Sequence, residues 1–307
     1  MIHRIAHQLS NYRPWTNTLG LARTLIALGT LLTMLFSPAD VLFHEVANQP
    51  TTLSCDGLFG YSLYCVLPFS TQTSIYLSCG VLVWVISGYL PQLSGFFHWW
   101  VAASLIFSGT VLEGGDHLAA ILCLLLLPVL CLDPRPNHWK KVKASEALGR
   151  KARRIAASVF LWLIRLQMAV VYLHAAIGKL AVEEWLNGTA VYYWFTDSSI
   201  GMVDWMEPIA LPLLLNPFIV ALITWGSVCL ELTLFAGLFM SNTNKRRLFR
   251  WALLFHVAIA AIHGLIGFGL IMIGGLVLYL LPLDQPVSLP KLSQARPGSK
   301  HVKTIPA

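Results

Sequence analysis

The sequence predicts an all-α fold, a polytopic transmembrane bundle of about eight helical spans with both termini in the cytoplasm. Three observations carry that reading. Hydrophobic residues make up 56% of the 307 and charged residues only 11%, whereas soluble domains carry roughly a quarter charged residues. Apolar stretches recur along the chain, many near the roughly 20 residues needed to cross a hydrocarbon layer about 30 Å thick. Lys and Arg collect between alternate pairs of these stretches. A mean hydropathy of +0.67, with 11 Trp and 22 Gly, excludes a disordered chain, a small disulfide scaffold and an ordinary soluble enzyme. The formal charge of +7 would point to nucleic acid only if the basic residues formed one accessible patch, and here apolar runs separate them. Membrane lipid, not nucleic acid, is the expected surrounding.

The expected spans run approximately from Leu19 to Leu42, Ser74 to Leu90, Phe96 to Leu112, Asp116 to Leu132, Ile155 to Lys179, Ile209 to Met240, Trp251 to Ile266 and Gly267 to Leu281. The last two read either as separate spans or as one bent segment interrupted by Gly264, Gly267 and Gly269. Placing Arg4 and Arg13 in the cytoplasm puts the basic clusters Lys140 to Arg154 and Lys245 to Arg250 there too, with Lys291, Arg296, Lys300 and Lys303 of the tail. The outer stretches near 44–73, 113–116 and 180–208 contain carboxylates but no Lys or Arg. Residues 1–16 are therefore read as a cytoplasmic segment, 17–283 as the transmembrane domain and 284–307 as a cytoplasmic tail. A signal peptide is the rival reading of the first span, because Ser37 and Ala39 follow its apolar run; cleavage there would break the positive-inside pattern.

No P-loop, dinucleotide fingerprint, H-E-x-x-H or C-x-x-C motif occurs, nor a convincing internal repeat. A small-solute transporter would need discontinuous spans, for which Gly264 to Gly275 is the only hint. Cys79, Cys123, Cys131 and Cys229 lie in spans, where cysteine behaves as a small hydrophobe. Cys55 and Cys65 share the first outer loop and are expected to form a disulfide. A redox-active pair is the lesser alternative, since it lacks the spacing that activates a thiol.

A charge at the centre of a span costs at least about 2.5 kcal/mol, so each one is a candidate for function. Arg165 and Glu231 fall at similar depths of two antiparallel spans and are expected to form a structural ion pair. Arg165, Tyr172 and Lys179 are spaced by seven, which returns them to nearly one helix face. Lys179, at the outer end, either snorkels to the surface or, desolvated between helices, becomes a usable base. Asp116 and His117 follow Glu113, Gly114 and Gly115; Asp116 serves either as a helix cap or as a site carboxylate. His256 and His263 are again seven apart; a lone helical His is more often hydrogen-bonded structure, and no i, i+4 pair argues for zinc, so no metal is expected. The composite picture is an outward-facing cavity lined by Asp116, His117, Lys179 and one of His256 and His263. Trp185, Tyr192, Tyr193, Trp194 and Trp205 form an interfacial belt that anchors the loop or, less expectedly, contacts a cofactor.

The stretch Tyr172-Leu-His-Ala-Ala-Ile-Gly-Lys179-Leu, followed by Trp185-Leu-Asn-Gly188-Thr-Ala-Val-Tyr-Tyr193, resembles the central signature of the HTTM superfamily. This is the membrane domain of vitamin K-dependent gamma-glutamyl carboxylases and their bacterial relatives. Leu19-Gly-Leu-Ala-Arg23 resembles its first-span arginine motif, Glu113-Gly114-Gly115-Asp116-His117 its outer motif, Glu231-Leu its sixth-span glutamate and Phe255-His256 its late histidine. The resemblance runs from about residue 10 to 283 and implies that Lys179 matches the base that deprotonates vitamin K hydroquinone, whose oxidation drives abstraction of a glutamyl γ-proton. A quinone-type cofactor, vitamin K or menaquinone-like, is thereby implied, with Tyr172 and Trp185 as candidate contacts. The chain departs from the carboxylases in having Gly-Gly-Asp-His where their Asn-Asn-His motif falls, and in leaving no place for their large lumenal domain.

Among smaller relatives the chain is most similar to the membrane component of sporulation-delaying-protein toxin maturation systems, in its length, outer cysteine pair and Gly-Gly-Asp motif. That similarity implies a multi-pass protein of the bacterial cytoplasmic (inner) membrane, working beside a small accessory maturation protein on a secreted precursor of an antimicrobial-type peptide. Lys179 would be the base, with Asp116 and His117 positioning or exchanging protons. The alternative from another class is a non-catalytic peptide-binding, immunity or export protein.

Overall fold

The computed structural model describes residues 12–43, 53, 55–142 and 151–287. Arg4, Lys143, Arg150 and the basic residues of the tail, on which the expected orientation partly rests, lie outside the described residues, as does the tail from 288 onward.

Among the described residues, eight helices have 15 residues or more: α1 (Asn17–Phe36), α2 (Thr71–Ser87), α3 (Pro91–Ser108), α4 (Gly114–Cys131), α5 (Lys151–Lys179), α6 (Pro217–Ala236), α7 (Asn242–His263) and α8 (Ile266–Leu280). No β-strand occurs among them, only one bridge between Tyr89 and Asn137. α1, α4, α5 and α6 (the last with its continuation to Phe239) are long and apolar enough to cross a membrane, and α2 and α8 are apolar but shorter. α7 opens with Lys245, Arg246, Arg247 and Arg250, which lowers its apolarity.

Local chemistry sets the boundaries. Thr16 caps α1 by accepting from the Thr18 amide at 3.2 Å. α1 stops at Phe36, before Ser37-Pro38, rather than continuing to Leu42, because the residue ahead of a proline is pushed out of the helical region. The expected span from Ile209 to Met240 is interrupted: a short helix, Glu207–Leu214, ends before Asn216, whose side chain caps α6 while Pro217 takes its first position. α7 and α8 are separate helices, because Gly264 adopts φ +72° and closes α7 in the left-handed conformation.

α8 is the centre of the bundle, packed against α1, α4, α5 and α7, and α6 lies along α5. The α1–α8 contact is a backbone-to-backbone approach: a Cβ on Gly274 would sit 2.9 Å from the Ala22 carbonyl oxygen, and one on Gly29 would sit 2.6 Å from that of Gly267. Small residues at helix contacts serve this purpose in membranes, where packing must replace the hydrophobic drive. The starting end of α1 is tied to the segment after α8, since Thr16 and Thr18 donate to the carbonyls of Leu283 and Gln285 at 2.6 and 2.5 Å. α1 is therefore integrated into the folded bundle. The main core joins α1, α4, α5 and α8 through residues such as Ile26, Leu122, Met168 and Leu276, and a second core joins α1, α2 and α3. A small third cluster, Ala176, Trp185, Ala190 and Val228, fills the angle between α5, α6 and the loop joining them.

Candidate functional site

That third cluster borders a part-buried ion pair. Lys179 is the last residue of α5, and its Nζ lies 2.8 and 2.9 Å from the two Oε atoms of Glu231 on α6, with the Ala175 carbonyl at 3.5 Å. The Nζ also sits 5.1 Å from the centre of the Trp185 ring, a cation–π arrangement. The Lys179 side chain is 23% exposed and that of Glu231 7%. Burial of this kind is tolerated because each charge has its partner, and removal of either leaves an uncompensated ion.

Trp185 is held there by the loop between α5 and α6. It belongs to the short helix Glu183–Leu186, and the chain reverses at Gly188 to enter a second short helix, Ala190–Thr196. Gly188 has φ +83°, and a Cβ there would lie 3.2 Å from Ala221 Cβ and 3.3 Å from Trp225 Nε1 on α6. Only glycine meets both demands without strain. Across the turn, the Val191 amide donates to Thr224 Oγ1 at 3.3 Å.

Seven residues before Lys179 on α5, the fully buried Tyr172 places its hydroxyl 2.9 Å from Nε2 of His256 on α7. The His256 ring lies against Phe255 and Phe268, and its Nδ1 is buried without a hydrogen-bond partner. An orphaned buried ring nitrogen is costly in a finished core and calls for an explanation. The seven-residue stripe thus places a Lys–Glu pair and a Tyr–His pair about two helical turns apart on one face of α5.

The remaining predicted residues divide. Arg165 does not meet Glu231: its guanidinium lies over the Trp162 ring at 5.3 Å, and it forms no ion pair among the described residues. The physical reason is register, because Arg165 and Lys179 are about 21 Å apart along the helix and Glu231 is level with the last turns of α5. Asp116 caps its own helix: its carboxylate accepts from the Glu113 amide at 3.0 Å, completing a capping box. His117 is exposed, and no hydrogen bond or ion pair among the described residues joins Asp116 or His117 to Lys179. His263 lies with its Nδ1 3.0 Å from the Ile200 carbonyl, edge-on to Phe195, and does not join His256. Gly115 lets α4 approach α8, since a Cβ there would sit 3.1 Å from Phe268 Cα; Gly114 faces open space. Cys55 and Cys65 are joined as a disulfide.

Sequence reasoning named Arg23 only as a family motif and missed the polar centre built around it. Arg23 on α1 is fully buried, donates to Ser94 Oγ at 2.8 Å and approaches His138 Nδ1 at 3.3 Å. In the loop after α4, Asp133 and Arg135 form a pair with an Nη2–Oδ2 distance of 2.7 Å and 0% exposure on both sides. Burial, then the charges of Arg23 and Arg135, push the His138 imidazole down to about 3. The signal was present as Asp133-Pro-Arg135-Pro, where prolines hold the intervening Arg extended.

Residues 120–282 match the HTTM domain. The chain is 34% identical over 295 residues to the uncharacterized protein YitO of Bacillus subtilis (strain 168), covering 94% of this chain and 93% of that protein. It is also 34% identical over 296 residues to the sporulation-delaying protein SdpB of the same organism, covering 94% of this chain and 88% of that protein. No solved structure matches the chain significantly. With the family's domain matching more than half of an all-helical, apolar chain, and relatives aligned over nearly its whole length, this protein belongs to the HTTM family of membrane proteins.

Proposed function

We propose that the protein is a membrane maturation factor that modifies or processes a secreted antimicrobial-type peptide at the external membrane face, with Lys179 as the base and Glu231 as its proton partner. The observation that carries this reading is the Lys179–Glu231 pair itself, at 2.8 Å and only partly exposed, beside the Tyr172–His256 hydrogen bond. In a poorly solvated setting, passage of the ammonium proton from Nζ to a Glu231 oxygen turns two charges into a neutral amine and a neutral carboxylic acid. The amine then has the lone pair a base needs, and the proton remains within the site. The similarity to the sporulation-delaying protein supports a peptide toxin system as the setting.

The residues fit a quinone-type group. His256 Nδ1 is a buried polar atom without a partner, its ring is walled by Phe255 and Phe268, and Trp185 offers an aromatic face beside Lys179. When bound, such a group would supply redox chemistry; the chain's own residues would orient it and hold the proton. Eight spans, with both termini and the basic loops cytoplasmic, complete the proposal and place the 180–208 loop outside, in keeping with a bacterial inner-membrane protein. A small accessory protein would complete the system.

A second reading rests on the completeness of the same ion pair: a Lys and a Glu that satisfy one another suit a structural or peptide-binding role without catalysis. Lys179→Arg separates the two, since arginine preserves the cation and the pairing but does not surrender its proton. Mass spectrometry of the secreted peptides from cells expressing Lys179→Arg at matched membrane levels should show an unmodified or missing product under the first reading and an unchanged one under the second.

A further inference from the structure

Arg23 is a buried cation whose neighbours do not neutralise it. Nη2 donates to Ser94 and Nη1 lies 3.3 Å from His138 Nδ1, while Nε has no partner. A guanidinium has donors only, so His138 accepts at Nδ1 and carries its own proton on Nε2, 3.5 Å from Thr24 Oγ1. His138 is thereby a neutral ligand of Arg23. The adjacent carboxylate, Asp133, is committed elsewhere: it accepts from Arg135 Nε at 2.9 Å, from Nη2 at 2.7 Å and from the Arg135 amide at 3.0 Å. Arg135 in turn spends Nη1 on the carbonyls of His138 and Lys140 at 2.7 and 3.2 Å. With Arg23 and Arg135 positive, Asp133 negative and His138 neutral, these four described residues retain one positive charge out of contact with water.

A second, independent feature lies on α3. His98 is 1% exposed and its Nε2 has no hydrogen-bond partner. His98 follows Ser94 by one helical turn, on the same face that meets Arg23. Two buried orphan nitrogens and one uncompensated charge converge where α1, α3 and the loop after α4 pack together.

We propose that Arg23 and His98 form an internal site for one small monovalent anion of the halide class, separate from the Lys179–Glu231 site. The charge fits, because one negative ion cancels the residual positive charge. The chemistry fits, because a halide accepts hydrogen bonds from several directions and the unpartnered Nε–H of Arg23 and an Nε2–H on His98 can both donate; Ser94 accepts from Arg23 and donates its own proton to the Tyr89 and Leu90 carbonyls at 3.0 and 2.9 Å. Arg23 and His98 are both sealed from the surface, so an ion between them would be held away from bulk water.

The test uses the full-length protein purified in detergent and freed of halide by exchange into gluconate. Equilibrium dialysis with radiolabelled chloride, and the unfolding temperature at constant ionic strength as gluconate is replaced by chloride, are the two readouts. A single saturable class of chloride, with a matching rise in unfolding temperature, is expected for the natural chain. His98→Phe, which keeps a planar ring and removes the donor, should weaken chloride retention at least tenfold, and Arg23→Gln should abolish it. Should Arg23→Gln not fold, His98→Phe carries the comparison with the natural chain. Absence of saturable chloride in the folded natural chain, or undiminished retention in folded His98→Phe, would overturn the site and leave internal water as the partner of these nitrogens.

Discussion

Lys179 and Glu231 meet across the α5–α6 contact with both carboxylate oxygens within 2.9 Å of a single ammonium. This pairing makes each residue depend on the other for burial. Glu231→Gln should lower stability by about 2–4 kcal/mol, somewhat less than for a fully buried pair because Lys179 is part-exposed. The double variant Lys179→Met/Glu231→Met should recover most of that loss, since two apolar side chains leave no uncompensated ion. Thermal unfolding of the three purified proteins checks the cycle; equal losses in the single and double variants would show that the pair is not what holds this contact.

The α1–α8 approach predicts a strong response to a single methyl group. Gly274→Ala places a Cβ 2.7 Å from Ile26 and 2.9 Å from the Ala22 carbonyl oxygen, a clash that α1 relieves only by moving. A destabilisation of about 1–3 kcal/mol is expected, read as a fall in unfolding temperature. Gly114→Ala, at a position with open space, should be close to neutral in the same assay.

Gly188 links the backbone to the site. Gly188→Ala forces an L-residue to φ +83° and crowds Ala221 and Trp225, at a cost of about 1–2 kcal/mol for the conformation alone. The turn carries Trp185 over Lys179, so the expected outcome is loss of peptide maturation with the bundle still folded. Retained maturation in a folded variant would detach Trp185 from the site's work.

His138 sets an acid limit. Its folded value is about 3, depressed from 6.5 by burial and by Arg23 and Arg135. Between those values the unfolded chain binds the proton and the folded chain does not, so stability is complete above about 6.5 and is lost as pH falls toward about 3. His138→Gln, whose side-chain oxygen still accepts from Arg23, should flatten that part of the profile. An unchanged slope in unfolding temperature between pH 6.5 and pH 4 would assign the acid sensitivity to other groups.

The sequence made the helical bundle legible because long apolar runs have few other solutions. It also made the α5 stripe legible, because Tyr172 and Lys179 lie seven apart and return to one face. The partner of Glu231 was misassigned because depth was counted from expected span ends. The true ends of α5 and α6 are offset: α6 begins at Asn216-Pro217 and continues past the end of α5, which brings Glu231 level with Lys179. Asp116 illustrates a different limit, since an N-terminal carboxylate reads alike as cap or as site residue, and its bond to the Glu113 amide assigns it a capping role. Pairings such as Arg23 with Ser94 and His138 span 71 and 115 positions of chain, and no local periodicity encodes contacts at that range.

The most direct test of the central claim is the secreted-peptide mass profile of cells carrying Lys179→Met/Glu231→Met, with the membrane level and unfolding temperature of the variant matched to the natural protein. A base and its proton partner predict a well-folded protein and a precursor peptide left unmodified or missing its mature form. A normal mature peptide made by that folded double variant would contradict the account and reduce the pair to a structural contact between α5 and α6.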